Sequence, residues 1–252
     1  MVKIVVFDSG LGSLSIIKPI QKKVNVDIIY FADQKNYPYG TKSVLELEKI
    51  IKSTIRVLDK NFNPDLIVIG SNTPSLLLKK IINNRKIVGV FPPLKDAKRK
   101  TLTKVVAILS TKSVIESIAL RNYIKNNLPE NIKVVKINTS SLVELVESGK
   151  FINNKKLCKN KIKKILSIPF LKNHVDVATL SSTHLPFLLP FFKEIFPNII
   201  FLDPGNMVAD KIAKKLKHQN KTKSLTIFAS GNTQVFQKKL SKIGIKNKVR
   251  SL

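Results

Sequence analysis

Cysteine is almost absent from this chain of 252 residues, which has only Cys158. A single cysteine excludes a disulfide framework, a CxxC pair and a cysteine-based metal site. The three histidines lack the spacing of metal ligands and no cluster of acids accompanies them, so we expect no metal centre. No apolar run reaches membrane-spanning length, and Asp8 interrupts the first one before it could serve as a signal peptide. We therefore expect a soluble, cytoplasmic protein with no membrane partner.

Acidic residues are also few: 16 against 45 lysines and arginines, for a formal net charge of +29. Such a charge is the usual first sign of nucleic-acid binding. Only five of the basic residues are arginine, although the bidentate guanidinium suits bases and phosphates better than lysine does. The lysines are spread along all predicted helices and form no single block. These features favour a solvated basic surface that attracts anions, and nucleic-acid binding stays a second interpretation.

Short β-branched runs alternate with helix-length amphipathic segments throughout the chain. This alternation predicts an α/β fold whose mostly parallel sheets are flanked by helices on both faces. A hydrophobic content of 43% is enough for one large core or two small ones. The nine predicted strands are KIVVF, DIIYFA, DLIVIG, KIVGV, KVVAIL, IKVVKI, VDVATL, NIIFL and SLTIFA.

The sequence contains an internal repeat. DLIVIGSNTPSLL, which begins at Asp65, is echoed by DVATLSSTHLPFLL, which begins at Asp176. KIVVFDSG at Lys3 has a similar echo in KVVAILST at Lys104. The repeat predicts two related α/β domains, the first of them completed by the end of the chain. Their predicted bounds are residues 1–97 with 206–252 for the first domain, and 98–205 for the second.

Polar residues follow several of the predicted strands. Ligands of open α/β sheets gather at the carboxyl ends of the strands, and hydroxyls with free N–H groups at a helix N-terminus bind carboxylate or phosphate. Capping of the following helix is the simpler explanation for any one of these stretches. The matched pair Ser71 and Ser182 favours a ligand site shared by the two halves. The four stretches are Ser9-Gly10, Ser71-Asn72-Thr73, Ser110-Thr111 and Ser182-Thr183-His184.

A set of motifs in fixed order extends over nearly the whole chain: VFDSGLGSLSI, YFADQKNYPYGTKS, GSNTPS, GVFPPLKDA, LVELVESG, LSSTHLPFLL, FLDPGNMVAD and FASGNTQVF. With their order and spacing kept, they resemble the cofactor-independent glutamate racemases of the aspartate/glutamate racemase superfamily. The resemblance implies two facing, pseudo-symmetric domains with the site in the cleft between them. It also implies a small acidic amino acid or dicarboxylate as ligand, and no cofactor.

Members of this family invert the α-carbon with two thiols: one removes the α-proton and the other returns a proton from the opposite face. Ser71 and Ser182 occupy the two thiol positions in this sequence. By resemblance, Asp8 assists the group at position 71, and His184 and Glu147 assist the group at position 182. The residues implied in substrate binding are Ser9, Pro38, Tyr39, Gly40, Asn72, Thr73 and Thr183.

Serine at both positions makes activity doubtful, because a hydroxyl gives up its proton far less readily than a thiol. The sequence departs from the family pattern elsewhere too, and these extra differences favour natural divergence over a deliberate replacement of two cysteines. The further departures are Ser13, Pro74, Ser181, Leu185 and the pair Thr139-Ser140.

Three hypotheses follow from these residues. The first is a racemase-like isomerase of low rate, and the second is a catalytically silent protein that binds an acidic amino acid or dicarboxylate. The third is a serine-based lyase or hydrolase in which Ser182 or Ser71 acts with His184. It ranks last because no G-x-S-x-G motif accompanies either serine. The sequence leaves the oligomeric state open.

Overall fold

The computed structural model describes all 252 residues, which form two compact units. The first unit comprises Met1–Val90 and Gly205–Leu252, and the second comprises Phe91–Pro204. The boundaries predicted from the sequence lie after residues 97 and 205. The helix over residues 94–100 packs on a strand of the second unit and buries its apolar face there, so it belongs to that unit.

Ten strands form the sheets, and they include all nine that the sequence predicts. The tenth is a strand of three residues at the end of the chain. The strands are β1 (Lys3–Asp8), β2 (Asp27–Ala32), β3 (Leu66–Ile69), β4 (Ile87–Gly89), β5 (Val105–Ser110), β6 (Lys133–Asn138), β7 (Val177–Leu180), β8 (Ile200–Leu202), β9 (Ser224–Ala229) and β10 (Val249–Ser251).

Thirteen α-helices connect and cover these strands. None of them combines the length and the apolar character that crossing a bilayer requires. The helices are α1 (Leu14–Lys23), α2 (Val44–Phe62), α3 (Asn72–Leu77), α4 (Lys79–Ile82), α5 (Leu94–Lys100), α6 (Lys112–Ile115), α7 (Ile118–Asn127), α8 (Ser140–Glu147), α9 (Lys150–Asn153), α10 (Lys155–Asn173), α11 (Leu189–Ile195), α12 (Gly205–Lys215) and α13 (Thr233–Lys242).

Helix α2 shows how capping residues and the spacing of apolar residues determine the bounds and the buried face of a helix. Ser43 is its N-cap, and the Ser43 side chain accepts a hydrogen bond from the Glu46 N–H. Asn63 is its C-cap and takes the left-handed conformation common at helix C-termini. Leu47 and Ile51 lie one turn apart on its buried face and pack on the first sheet, in one core with residues of β1, β2 and β3.

All neighbouring strands in both sheets are parallel. The first sheet has the order β10-β9-β2-β1-β3-β4, and the second has the order β6-β5-β7-β8. The four strands β2-β1-β3-β4 therefore have the same order as β6-β5-β7-β8, which confirms the internal repeat. The carboxyl ends of β1 and β3, and of β5 and β7, are the switch points where open α/β sheets bind ligands.

Cys158 belongs to the apolar core of the second unit. It lies on α10, fully buried, one turn before Ile162, and Leu166 and Phe170 continue the same face. Burial raises the pKa of its thiol. Cys158 is therefore a core residue and does not supply a thiol at a strand end.

Candidate active site

The first half-site lies at the carboxyl ends of β1 and β3 in the first unit. We define it by Asp8, Ser9, the turn Pro38–Gly40, and the run Ser71-Asn72-Thr73. Strand β1 ends at Asp8, which is 1% exposed and accepts a hydrogen bond of 2.7 Å from the Ser9 N–H.

The end of β3 places Ser71 beside the end of β1. Phe7 pairs with Ile69, and the Gly70 N–H donates to the Phe7 carbonyl at 2.8 Å. Asp8 is the last residue of β1, and Ser71 comes two residues after the end of the neighbouring strand β3. The Ser71 side chain does not cap α3, although Ser71 is the N-cap residue. The capping interpretation is therefore wrong for Ser71, and its half-buried hydroxyl is not engaged by the helix.

Asn72 has an unsatisfied acceptor next to Ser71. Its Nδ2 donates to the Val90 carbonyl at 3.3 Å, whereas its Oδ1 is buried and has no partner within the chain. Ser75 holds the same helix in place: its hydroxyl donates to the Ser71 carbonyl at 2.7 Å and accepts from the Val90 N–H at 2.9 Å. A buried acceptor without a donor is unfavourable for the folded chain.

The turn that carries Tyr39 closes the first half-site. The Tyr39 N–H lies 3.4 Å from Ser9 Oγ, and the phenol hydroxyl donates to Asp33 Oδ2 at 2.8 Å. Burial raises the pKa of the Tyr39 phenol well above its usual value, and the nearby Asp33 carboxylate raises it further. The phenol is thus a protonated donor that is committed to Asp33.

The second half-site lies at the carboxyl ends of β5 and β7 in the second unit, and we define it by Glu147, Ser182, Thr183 and His184. Ser182, Thr183 and His184 are 7%, 2% and 6% exposed, and they precede a 3₁₀ helix over residues 185–188. Ser110 fixes the strand end, because its hydroxyl donates to the Ser181 carbonyl at 2.7 Å.

Glu147 and His184 form a buried pair. Glu147 is the last residue of α8, and its Oε2 lies 3.0 Å from His184 Nε2. A carboxylate in this position accepts from the Nε2–H, so the lone pair of a neutral ring lies on Nδ1. The pair thus provides an oriented imidazole that can take up a proton while Glu147 stabilises the resulting charge.

Each unit therefore brings together the residues predicted for it. The first gathers Asp8, Ser9, the Tyr39 turn and the Ser71 run, and the second gathers Glu147 with the Ser182 run. Sequence reasoning missed Asp33, whose carboxylate is buried and engaged by four side chains. Its sequence signals are its place directly after β2 and its presence in the motif YFADQKNYPYGTKS.

These features define an internally duplicated α/β protein with a polar half-site at equivalent strand ends of each unit. No family model matches the chain. The glutamate racemase of Buchnera aphidicola subsp. Schizaphis graminum is 31% identical over 241 residues, which cover 92% of this chain and 92% of the relative. The chain belongs to the glutamate racemase family, as the sequence motifs predict.

Solved structures show the same fold. A glutamate racemase isoform from Bacillus anthracis matches with a TM-score of 0.87 and 22% identity, over 100% of this chain and 97% of that one. The Escherichia coli glutamate racemase, solved with L-glutamate and the activator UDP-MurNAc-ala, matches with a TM-score of 0.84 and 23% identity. That match covers 100% of this chain and 98% of the E. coli chain.

Proposed function

We propose that the chain is a glutamate racemase-like isomerase that acts on L- and D-glutamate or a related acidic amino acid by proton transfer at the α-carbon. The observation that carries this proposal is the repeated strand end, which puts Ser71 two residues after β3 and Ser182 two residues after β7 in a chain of the racemase family. The E. coli relative holds L-glutamate, which supports an acidic amino acid as the ligand.

The reaction explains the duplication. An isomerase that runs in both directions needs one acid/base group on each face of the α-carbon, and the duplication provides two equivalent groups. In this mechanism Ser71 acts with Asp8, and Ser182 acts with His184 and Glu147. No cofactor takes part in these steps.

The neutral polar groups of the half-sites hold the substrate. Asn72 is assigned to the substrate because it directly follows Ser71 in the first half-site. Hydroxyls and backbone N–H groups are suited to the carboxylates. The binding residues in this proposal are Ser9, Pro38, Tyr39, Gly40, Asn72, Thr73 and Thr183.

The serines set the expected rate. If a hydroxyl loses its proton on the order of five pKa units above a cysteine thiol, forming the base costs roughly 7 kcal/mol more. That difference corresponds to about five decades in rate. Asp8 and the Glu147–His184 pair would offset part of this cost as general bases, as a histidine does for a catalytic serine elsewhere. The isomerase is therefore expected to be slow.

The second candidate is a protein that binds an acidic amino acid or dicarboxylate and performs no chemistry on it. Serine at both thiol positions favours this candidate, whereas the retained Glu147–His184 pair favours the isomerase. The two candidates share the binding groups and differ only in proton transfer. They are therefore distinguished by exchange at the α-carbon and not by affinity.

Deuterium exchange at the α-carbon of L- and D-glutamate tests the proposal, with binding followed by calorimetry. The parent chain is compared with the double variant Ser71→Cys/Ser182→Cys, in which we expect exchange to rise by up to about five decades. Adding Cys158→Ser to the double variant is the control, because that thiol lies in the core.

The outcomes separate the candidates. Measurable exchange by the parent supports the isomerase, and binding without exchange supports the silent protein. If neither the parent nor the double variant binds glutamate or exchanges label, glutamate is the wrong ligand.

A further inference from the structure

Asp33 has a buried carboxylate that accepts several hydrogen bonds, and the proposed reaction assigns it no role. It directly follows β2, is 3% exposed, and its backbone N–H donates to the Asp8 carbonyl at 2.7 Å. Four side chains donate to its carboxylate. They are Asn36 Nδ2 at 2.9 Å from both oxygens, Tyr39 OH at 2.8 Å, Thr54 Oγ1 at 3.3 Å and Ser230 Oγ at 3.1 Å.

These donors come from separate parts of the first unit. Asn36 and Tyr39 belong to the turn after β2, Thr54 lies on α2, and Ser230 follows β9 near the end of the chain. All four donors are neutral. Because a buried carboxylate is costly unless donors surround it, its hydrogen bonds hold these segments together at one point.

Asp33 is connected to the first half-site in two ways. One connection is its own N–H, which donates to the Asp8 carbonyl. The other passes through Tyr39: its phenol bonds Asp33, while its backbone N–H lies 3.4 Å from the hydroxyl of Ser9. The Ser9 N–H in turn donates to the Asp8 carboxylate.

We propose that Asp33 is a positioning residue of the first half-site, whose carboxylate fixes the Tyr39 turn against Ser9 and ties it to α2 and to the C-terminal segment. Asp33 acts through Tyr39 and does not touch the substrate. Its effect on glutamate binding rests on the proposed function, whereas its effect on the Tyr39 turn does not.

The tyrosine content of the chain gives a direct measurement of this turn. The chain has four tyrosines and no tryptophan, so tyrosinate absorbance reports the phenols without indole background. The difference between the parent and Tyr39→Phe isolates the titration of Tyr39. Because Asp33 contributes to the raised pKa of Tyr39, removing its charge is expected to move that titration to lower pH.

Asp33→Asn is the test variant, and Asp27→Asn is its matched control. Asp27 is the first residue of the same strand, and it too accepts hydrogen bonds from side chains near the C-terminus, Ser224 Oγ at 2.6 Å and Asn220 Nδ2 at 3.2 Å. It lies at the opposite end of β2 from the half-site. Circular dichroism establishes the temperature range in which both variants are folded.

We expect Asp33→Asn to lower the pH at which Tyr39 titrates and to weaken glutamate binding by about tenfold or more. Asp27→Asn is expected to change neither quantity, even where it lowers the melting temperature. An unchanged Tyr39 titration in Asp33→Asn would overturn the proposal, as would equal effects of the two variants. If the parent does not bind glutamate, the proposed ligand is wrong, and the Tyr39 titration still decides the role of Asp33.

Discussion

Glu147 and His184 meet in a buried hydrogen bond of 3.0 Å that joins the end of α8 to the turn after β7. The two residues lie 37 positions apart in the chain, so only the fold of the second unit brings them together. Breaking one side of such a pair leaves a buried polar group without its partner. The pair therefore supports both the structure of this turn and the proton transfer assigned to it.

Glu147→Gln is expected to lower the free energy of unfolding by about 1–3 kcal/mol, because the His184 ring loses its charged acceptor. In the double-cysteine variant it is also expected to slow α-proton exchange from one enantiomer of glutamate. Denaturant unfolding and deuterium exchange measure the two effects. Glu144→Gln is the control, since Glu144 is exposed on the same helix and should change stability by less than about 0.5 kcal/mol. Equal effects of the two variants would contradict a special role for Glu147.

Gly70 and Ser13 are packed too closely to allow a larger residue at position 70. A Cβ at Gly70 would lie 2.3 Å from Ser13 Cβ and 3.2 Å from the Phe7 carbonyl oxygen. We expect Gly70→Ala to cost about 1–3 kcal/mol of unfolding free energy, and Ser13→Gly to restore most of it in the double variant. The Ser13 hydroxyl is buried without a partner, so its removal alone is expected to cost little. Additive effects of the two changes, measured by denaturant unfolding, would show that the two positions do not interact.

The strands could be predicted from the sequence because most are β-branched runs of four to six residues between helical segments. The strand that was not predicted is β10, Val249–Ser251, of which only Val249 is buried. Its position is fixed by pairing with β9, a contact that leaves no periodic pattern in the sequence. The repeat could be predicted because it does leave a pattern in the sequence. Strands β3 and β7 are fully buried apolar runs, and similar polar residues follow each of them.

The site was only partly predictable. The roles of Glu147 and His184 came from the family resemblance, since no local pattern connects two residues so far apart in the chain. Asp33 was missed because the side chains that donate to its carboxylate come from three separate segments. Its equivalent in the second unit is Thr139, whose N–H donates to the Ser110 carbonyl as the Asp33 N–H donates to the Asp8 carbonyl. The two units therefore share backbone pairing and differ in the side chains that brace their half-sites.

Asp176 gives the second unit an acid-sensitive contact. Its carboxylate accepts hydrogen bonds from Thr101 Oγ1 at 2.7 Å and from the N–H groups of Leu102 at 2.5 Å and Thr103 at 3.0 Å. Burial alone would raise the pKa of this carboxyl, but the hydrogen bonds from Thr101, Thr103 and Leu102 outweigh it and lower the pKa.

Because the folded state lowers this pKa, the contribution of Asp176 is present above the ordinary aspartate value of about 3.9 and is lost as the pH falls through the folded value. We expect Asp176→Asn to lower stability at pH 7 by about 1 kcal/mol, a contribution that solvent screening keeps small. The variant should also lose less stability on acidification than the parent does. Melting temperatures between neutral and acidic pH measure both effects. Asp65 holds the equivalent position in the repeat, and its carboxylate accepts a hydrogen bond from the Lys3 N–H. We expect Asp65→Asn to lower stability by less than Asp176→Asn does.

Single-cysteine variants test whether the two half-sites act on opposite faces of the α-carbon. Ser71→Cys restores a thiol in the first half-site only, and Ser182→Cys restores it in the second. One thiolate can remove the α-proton from one enantiomer and return deuterium to the same face, so each variant should exchange label faster than it inverts the carbon. The two variants should therefore prefer opposite enantiomers of glutamate in a proton NMR assay in deuterium oxide. If both exchange the same enantiomer, the serines do not act from opposite faces, and the proposed two-sided mechanism is wrong.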